Sequence, residues 1–93
     1  MIKLISWTTK AASDLVRLHE FLAPLNKQVA AQVVQSLSKA PNNLQTHPRL
    51  GERLEEFDPR EVRRIVIGDY EMRYEIQRET LYILRIWHTK EHR

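Results

Sequence analysis

Cysteine is missing altogether from this 93-residue chain, which rules out a disulfide framework, a thiolate metal centre and a cysteine nucleophile. Glycine occurs only at Gly51 and Gly68, too little for a glycine-rich loop cradling phosphates. No apolar run approaches the roughly 20 residues that span a bilayer. The opening Met1-Ile2-Lys3-Leu4-Ile5 lacks the apolar core and cleavage site of a secretory signal, so a cytosolic protein without membrane attachment is expected. His88 and His92 stand four apart, but the chain is leaving a strand there and no carboxylate pattern completes a ligand set, so neither a metal nor a cofactor is expected. The charge is only mildly basic: 15 Lys+Arg against 12 Asp+Glu give +3, below what a dedicated non-specific nucleic-acid binder carries. With 42% hydrophobic and 29% charged residues the composition is globular, and the length suits a single domain over residues 1–93 with one small core.

What is present is arginine in β-patterned sequence. Residues 62–67 form an apolar, β-branched run broken by Arg63 and Arg64, and Gly68-Asp69 supplies a tight turn after it. Tyr70, Met72, Tyr74 and Ile76 then alternate with Glu71, Arg73, Glu75 and Gln77, the signature of a half-buried strand. After a turn at Arg78-Glu79, residues 80–87 read as a strand apolar on both faces in its first half, hence interior to the sheet. Upstream, residues 2–7 read as a short strand. Thr8 caps a helix over residues 9–22 whose apolar stripe is Ala11, Leu15, Leu18 and Leu22. Pro24 ends it, and Asn26 caps a second helix over residues 26–46 striped by Val29, Val33, Leu37, Ala40 and Leu44. The stripe stays in phase across Pro41, which predicts a kink there.

The order β-α-α-β-β-β makes this an α+β chain, with a helical hairpin packed on a mostly antiparallel four-stranded sheet. The predicted core is Leu4, Leu15, Leu18, Val33, Leu37, Ile67, Met72, Tyr74, Ile83 and Ile86. His47-Pro48-Arg49-Leu50-Gly51 is a loop. The acidic segment after it, with Glu52, Glu55, Glu56 and Asp58, stays on the surface while Leu54 and Phe57 tuck inward.

Candidate chemistry concentrates in the last third. Arg73 lies on the polar side of its strand, and a meander can bring Arg63 or Arg64 and Arg85 onto the same surface. The guanidinium fork suits phosphate or carboxylate; the plainer alternative for Arg73 is a cross-strand ion pair with a neighbouring glutamate. Arg85 interrupts an apolar strand and needs a partner or a path to water. His88 could serve in acid/base chemistry or be a hydrogen-bonded residue at the sheet margin. Trp87 reads as a core or rim anchor.

These residues, in this order, resemble the RelE/ParE superfamily of bacterial toxins from type II toxin–antitoxin systems. The resemblance covers nearly the whole chain. It runs from Trp7-Thr8 and Ala11-x-x-Asp14-Leu15 through His47 to Gly51, and is strongest over residues 62–76 and 81–90. The Gly68-Asp69-Tyr70 phrase, Tyr74, and the ending Leu84-Arg85-Ile86-Trp87-His88 look more like the ParE branch. Against a RelE assignment stand the acidic residues where that branch is lysine-rich, and the lack of a tyrosine after His88. The resemblance implies a cognate antitoxin as partner. It also implies DNA gyrase as target, met through the C-terminal strand and tail: Arg63, Arg64, Arg85, Trp87, Lys90, His92 and Arg93. The alternative is a RelE-like endoribonuclease acting on mRNA at the ribosome, with Arg73 binding the scissile phosphate and His88 as acid or base. A third reading keeps the fold as a partner-binding module with altered or lost toxicity.

Overall fold

The computed structural model describes residues 1–91. Strand β1 (Leu4–Trp7) leads into helix α1 (Thr9–Leu22), followed by α2 (Lys27–Lys39) and a short α3 (Pro41–Thr46). Strand β2 (Glu52–Arg53), a single 3-10 turn (Glu55–Phe57), and strands β3 (Glu61–Ile67), β4 (Tyr70–Gln77) and β5 (Thr80–His88) complete the order. The sheet runs β1-β5-β4-β3-β2, antiparallel except for the parallel β1–β5 pair, with the helices on one face. Among the described residues no helix is long and apolar enough to cross a membrane.

Both expected caps form. The Thr8 hydroxyl accepts from the Ala11 N–H, and the Asn26 side-chain oxygen accepts from Gln28 and Val29. The second helix divides at Ala40, whose own backbone stays helical (φ −54°, ψ −40°). Pro41 cannot donate to the carbonyl one turn back, so the chain kinks into α3 and Leu44 still reaches the core. The Gly68 turn uses φ +60°, which glycine adopts freely; the other turn places Arg78 at φ 56°.

Two expectations need correction. The sheet has five strands, because Glu52 and Arg53 add a two-residue edge opposite Arg64 and Arg63. Charge alternation hid this strand: the Glu52 carboxylate crosses to Arg64 Nε at 2.9 Å, a pairing that a one-dimensional reading takes for a solvated loop. Leu4 is not core, being 59% exposed, whereas Ile2 is buried and Ile5 and Trp7 pack on the core. The alternation in β1 exists, but its inward phase is the odd-numbered one. The other nine expected core residues are buried or pack against the cluster, which also takes in Ala11, Leu44, Ile76 and Leu81.

Past its doubly apolar first half, β5 changes phase. Arg73 pairs with Arg85, but Tyr74 pairs with Ile83, so β5 carries a bulge at Leu84. Ile83 and Ile86, three apart, therefore both face the helices, and Arg85 turns to the opposite face. Without the bulge a guanidinium would point into the core.

Candidate functional site

β1 is short, so among the described residues the outer edge of β5 beyond Ile83 has no strand partner, and the buried polar groups there must be met some other way. Helix α1 meets them with side chains. The Thr8 hydroxyl donates to the carbonyls of Ile83 (2.8 Å) and Leu84 (3.1 Å). Asp14 accepts from the Ile86 N–H at 2.8 Å, and Arg17 Nη2 donates to the Ile86 carbonyl at 3.1 Å. Buried Asp14 also accepts from Arg85 (Nε 2.9 Å, Nη2 3.2 Å) and Arg17 (3.1 Å), answering the need of Arg85 for a partner. That pairing raises the Arg85 pKa above its already high ordinary value, so the group stays charged. Arg17 then reaches Glu91 at 2.7 Å, whose other oxygen accepts from the His88 N–H, fastening the turn after β5 to α1.

The face of the sheet away from the helices carries Arg64, Arg73 and Arg85 in register across β3, β4 and β5. With them lie Glu71 and Trp87, a cross-strand pair, and both are buried. The Arg73 guanidinium sits 4.8 Å from the centre of the Trp87 ring and 5.4 Å from that of Phe57; Arg85 is 5.0 Å from Trp87. Arg64 binds Glu52 at 2.9 Å and Glu71 at 3.3 Å. Further along the same face, Arg60 grips buried Glu75 with two bonds of 2.7 and 3.1 Å, and the Arg60 bonds hold that carboxyl below the usual range against the opposing effect of burial. The arginines, Leu54, Glu56 and Glu91 enclose a shallow concavity of about 820 Å³.

Arg63 belongs to the other face, as strand alternation requires of neighbours. It donates to Glu61 at 2.9 Å and to the Gly51 carbonyl at 2.7 Å. Beside it the buried Tyr74 hydroxyl donates to the Pro48 carbonyl (2.7 Å) and accepts from the Gly51 N–H (3.0 Å). Burial pushes the Tyr74 phenol pKa up, keeping it a donor. Gly51 is required at this contact, since a Cβ there would lie 2.6 Å from the Arg64 carbonyl oxygen.

His88 is also on the helix side, opposite Tyr70, whose ring it meets edge-on at 5.2 Å. Its Nδ1 accepts from the Lys90 N–H at 3.1 Å, which puts the ring proton on Nε2 in the neutral form. Tyr70 and His88 close one end of an apolar groove of about 680 Å³ between the hairpin and the sheet, whose other walls include Leu18, Phe21, Val29 and Val33. Phe21 is 70% and Val29 42% exposed. A second groove, of about 700 Å³, runs between α2/α3 and the β3 edge over Leu44, Leu50, Ile65 and Ile67, with Lys39 and Arg64 at its rim.

The sequence-derived site residues therefore divide. Arg64, Arg73, Arg85 and Trp87 share the open face. Arg63 and His88 lie on the helix face, and Lys90 is exposed in the turn after β5. His92 and Arg93 lie outside the described residues. Arg73 and His88 are not brought together, because the sheet separates them. Asp14, Arg17 and Glu91, which tie the site's strand to α1, were absent from the sequence-derived set.

A family model described as the ParE toxin of the type II toxin–antitoxin system parDE matches residues 5–93. The fold is similar to a solved structure of the chromosomal ParDE toxin–antitoxin system from P. aeruginosa. The two chains are 26% identical with a TM-score of 0.75, over 92% of this chain and 94% of that one. A comparison with curated proteins found no match. On these grounds the chain belongs to the ParE toxin family of type II toxin–antitoxin systems.

Proposed function

We propose that this toxin acts in the cytoplasm by binding and inhibiting DNA gyrase, and that a cognate antitoxin neutralises it. The observation that carries the choice of a binding toxin over a ribonuclease is the separation of Arg73 and His88. Phosphodiester cleavage needs a cation on the phosphate and a proton carrier within reach of the same atoms. Here the cation is on one face and the imidazole on the other, with its Nδ1 already occupied by the Lys90 N–H. Three of the arginines near the open face, Arg17, Arg64 and Arg85, are also neutralised by carboxylates, which weakens any field that would gather RNA.

The antitoxin reading rests on two receptors. The hairpin groove offers exposed Phe21 and Val29 to the apolar side of a helix. The β3 edge is covered by β2 at Arg63 and Arg64 and by the Leu54 N–H at the Val62 carbonyl, which leaves residues 65–67 open to an added strand, with Lys39 and Arg64 placed to meet acidic residues. Expression of the chain alone tests the function. DNA damage with an SOS response, reversed by co-expressing the neighbouring gene, is the expected outcome. Early loss of translation with cut mRNA would contradict it, and harmless expression would mean the toxicity is lost.

A further inference from the structure

Three arginines lie in register on the open face, and two of them are committed. Arg85 gives Nε and Nη2 to Asp14, and Arg64 gives Nε to Glu52 at 2.9 Å. Arg73 is different. Its one hydrogen bond among the described residues is a long 3.4 Å contact from Nη2 to Glu71, and its Nε is buried with no acceptor. The side chain is 23% exposed and its guanidinium rests near two aromatic rings, Trp87 and Phe57. Burial has removed the water that would satisfy Nε–H, while the rings limit how the fork can turn. The Nη end of the fork, held only by the long Glu71 contact, is the part that a planar, two-oxygen anion can meet.

The surroundings select among anions. Glu91 and Glu71 already neutralise Arg17 and Arg64, and Glu56 stands on the rim of the concavity, so little positive field is left to hold a polyanionic backbone. Leu54 and Trp87 supply an apolar wall next to the guanidinium. A single carboxylate flanked by apolar side chains meets the fork and the wall together. We propose that the open face of the sheet is a peptide-recognition site in which Arg73 receives the carboxylate of an acidic, apolar-flanked segment of a partner protein. The inference does not depend on gyrase being the target, and it uses neither the hairpin groove nor the β3 edge.

The test uses the full chain carrying Trp7→Phe, which leaves Trp87 as its one tryptophan reporter. At about 150 mM salt, where long-range attraction is screened, the chain is titrated with a capped peptide that carries one glutamate flanked by leucines. The same peptide with glutamine for glutamate, a short single-stranded RNA and inorganic phosphate are titrated alongside. The glutamate peptide is expected to shift Trp87 fluorescence saturably and the glutamine peptide not to. Arg73→Lys, which keeps the charge and loses the fork, is expected to weaken binding by about tenfold or more. Sodium acetate should displace a fluorophore-labelled copy of the peptide from the chain without any substitution, read by anisotropy, where chloride at equal ionic strength does not, a readout that needs no foldable variant. Equal binding of the two peptides, no displacement by acetate, an undiminished Arg73→Lys affinity, or Arg73-dependent binding of RNA or phosphate tighter than the peptide would each overturn the proposal.

Discussion

Replacing Asp14 by alanine removes the acceptor that closes the free edge of β5. The loss has two parts. The Ile86 N–H, buried and bonded to Asp14 at 2.8 Å, is left without a partner, which costs about 1–3 kcal/mol. Arg85 and Arg17 also lose their shared carboxylate. Removing one member of a fully buried pair costs about 3–5 kcal/mol, but these guanidinium side chains are 36% and 40% exposed and water takes up much of the difference, so about 1 kcal/mol is the fair share. The sum is about 3 kcal/mol, a large fraction of the roughly 5–15 kcal/mol that holds a domain of this size. At about 4–8 °C per kcal/mol the midpoint of thermal unfolding should fall by about 15 °C. Asp14→Asn keeps an oxygen for the Ile86 N–H and should lose about half as much. In the double variant Asp14→Ala, Arg85→Met the stranded charge is gone, so its loss should be smaller than the sum of the two single losses. Urea titration measures all four. An Asp14→Ala chain within about 0.5 kcal/mol of the parent, the range of an ordinary surface substitution, would refute the edge-closing role.

Tyr74→Phe strands the Gly51 N–H and the Pro48 carbonyl together; a loss of about 2 kcal/mol in urea titration, with faster amide exchange at Gly51, is expected. Glu75 contributes to acid sensitivity with a definite sign. Its folded pKa lies below the unfolded value because of Arg60, so its stabilisation is present above the ordinary carboxylate range and disappears as pH falls through the folded value. Glu75→Gln should flatten that acid limb in a pH series of denaturation midpoints. Phe21→Ser, at an exposed position of the hairpin groove, should weaken binding of the antitoxin in calorimetry while leaving the thermal midpoint of the free toxin nearly unchanged.

Most of the fold was legible because the periodicities are undisturbed where they matter: both helix caps, the in-phase stripe across Pro41 and the alternation of β4. What escaped were features that exist only across chain segments. The Leu84 bulge changes the face of every residue after it, and nothing local to Leu84 announces this. Strand β2 is two residues long and held by an ion pair from Glu52 to Arg64, twelve residues later. Glu71 and Glu75 looked like the solvent side of an amphipathic strand, yet both are buried beneath arginines. For the site, one signal could have been used. Asp14 falls between Ala11 and Leu18 at i+3 and i+7, on the apolar stripe of α1, and an acid in that position pairs naturally with the unexplained Arg85. The same contacts bear on the tail. Deleting the chain after Ile86, which the sequence alone would recommend for abolishing toxicity, also removes the packed Trp87 and the Glu91 clasp, so Lys90→Ala is the cleaner probe of the effector surface.

The most direct test of the account is supercoiling by DNA gyrase in the presence of the purified toxin, run beside a ribosome programmed with mRNA, with the parent chain and His88→Ala in both. A gyrase-binding toxin should give lost supercoiling and intact mRNA. His88→Ala should change inhibition by no more than a contact residue would, with the pH profile unaltered. Unimpaired gyrase together with A-site cleavage that falls by about two orders of magnitude in His88→Ala would contradict the account.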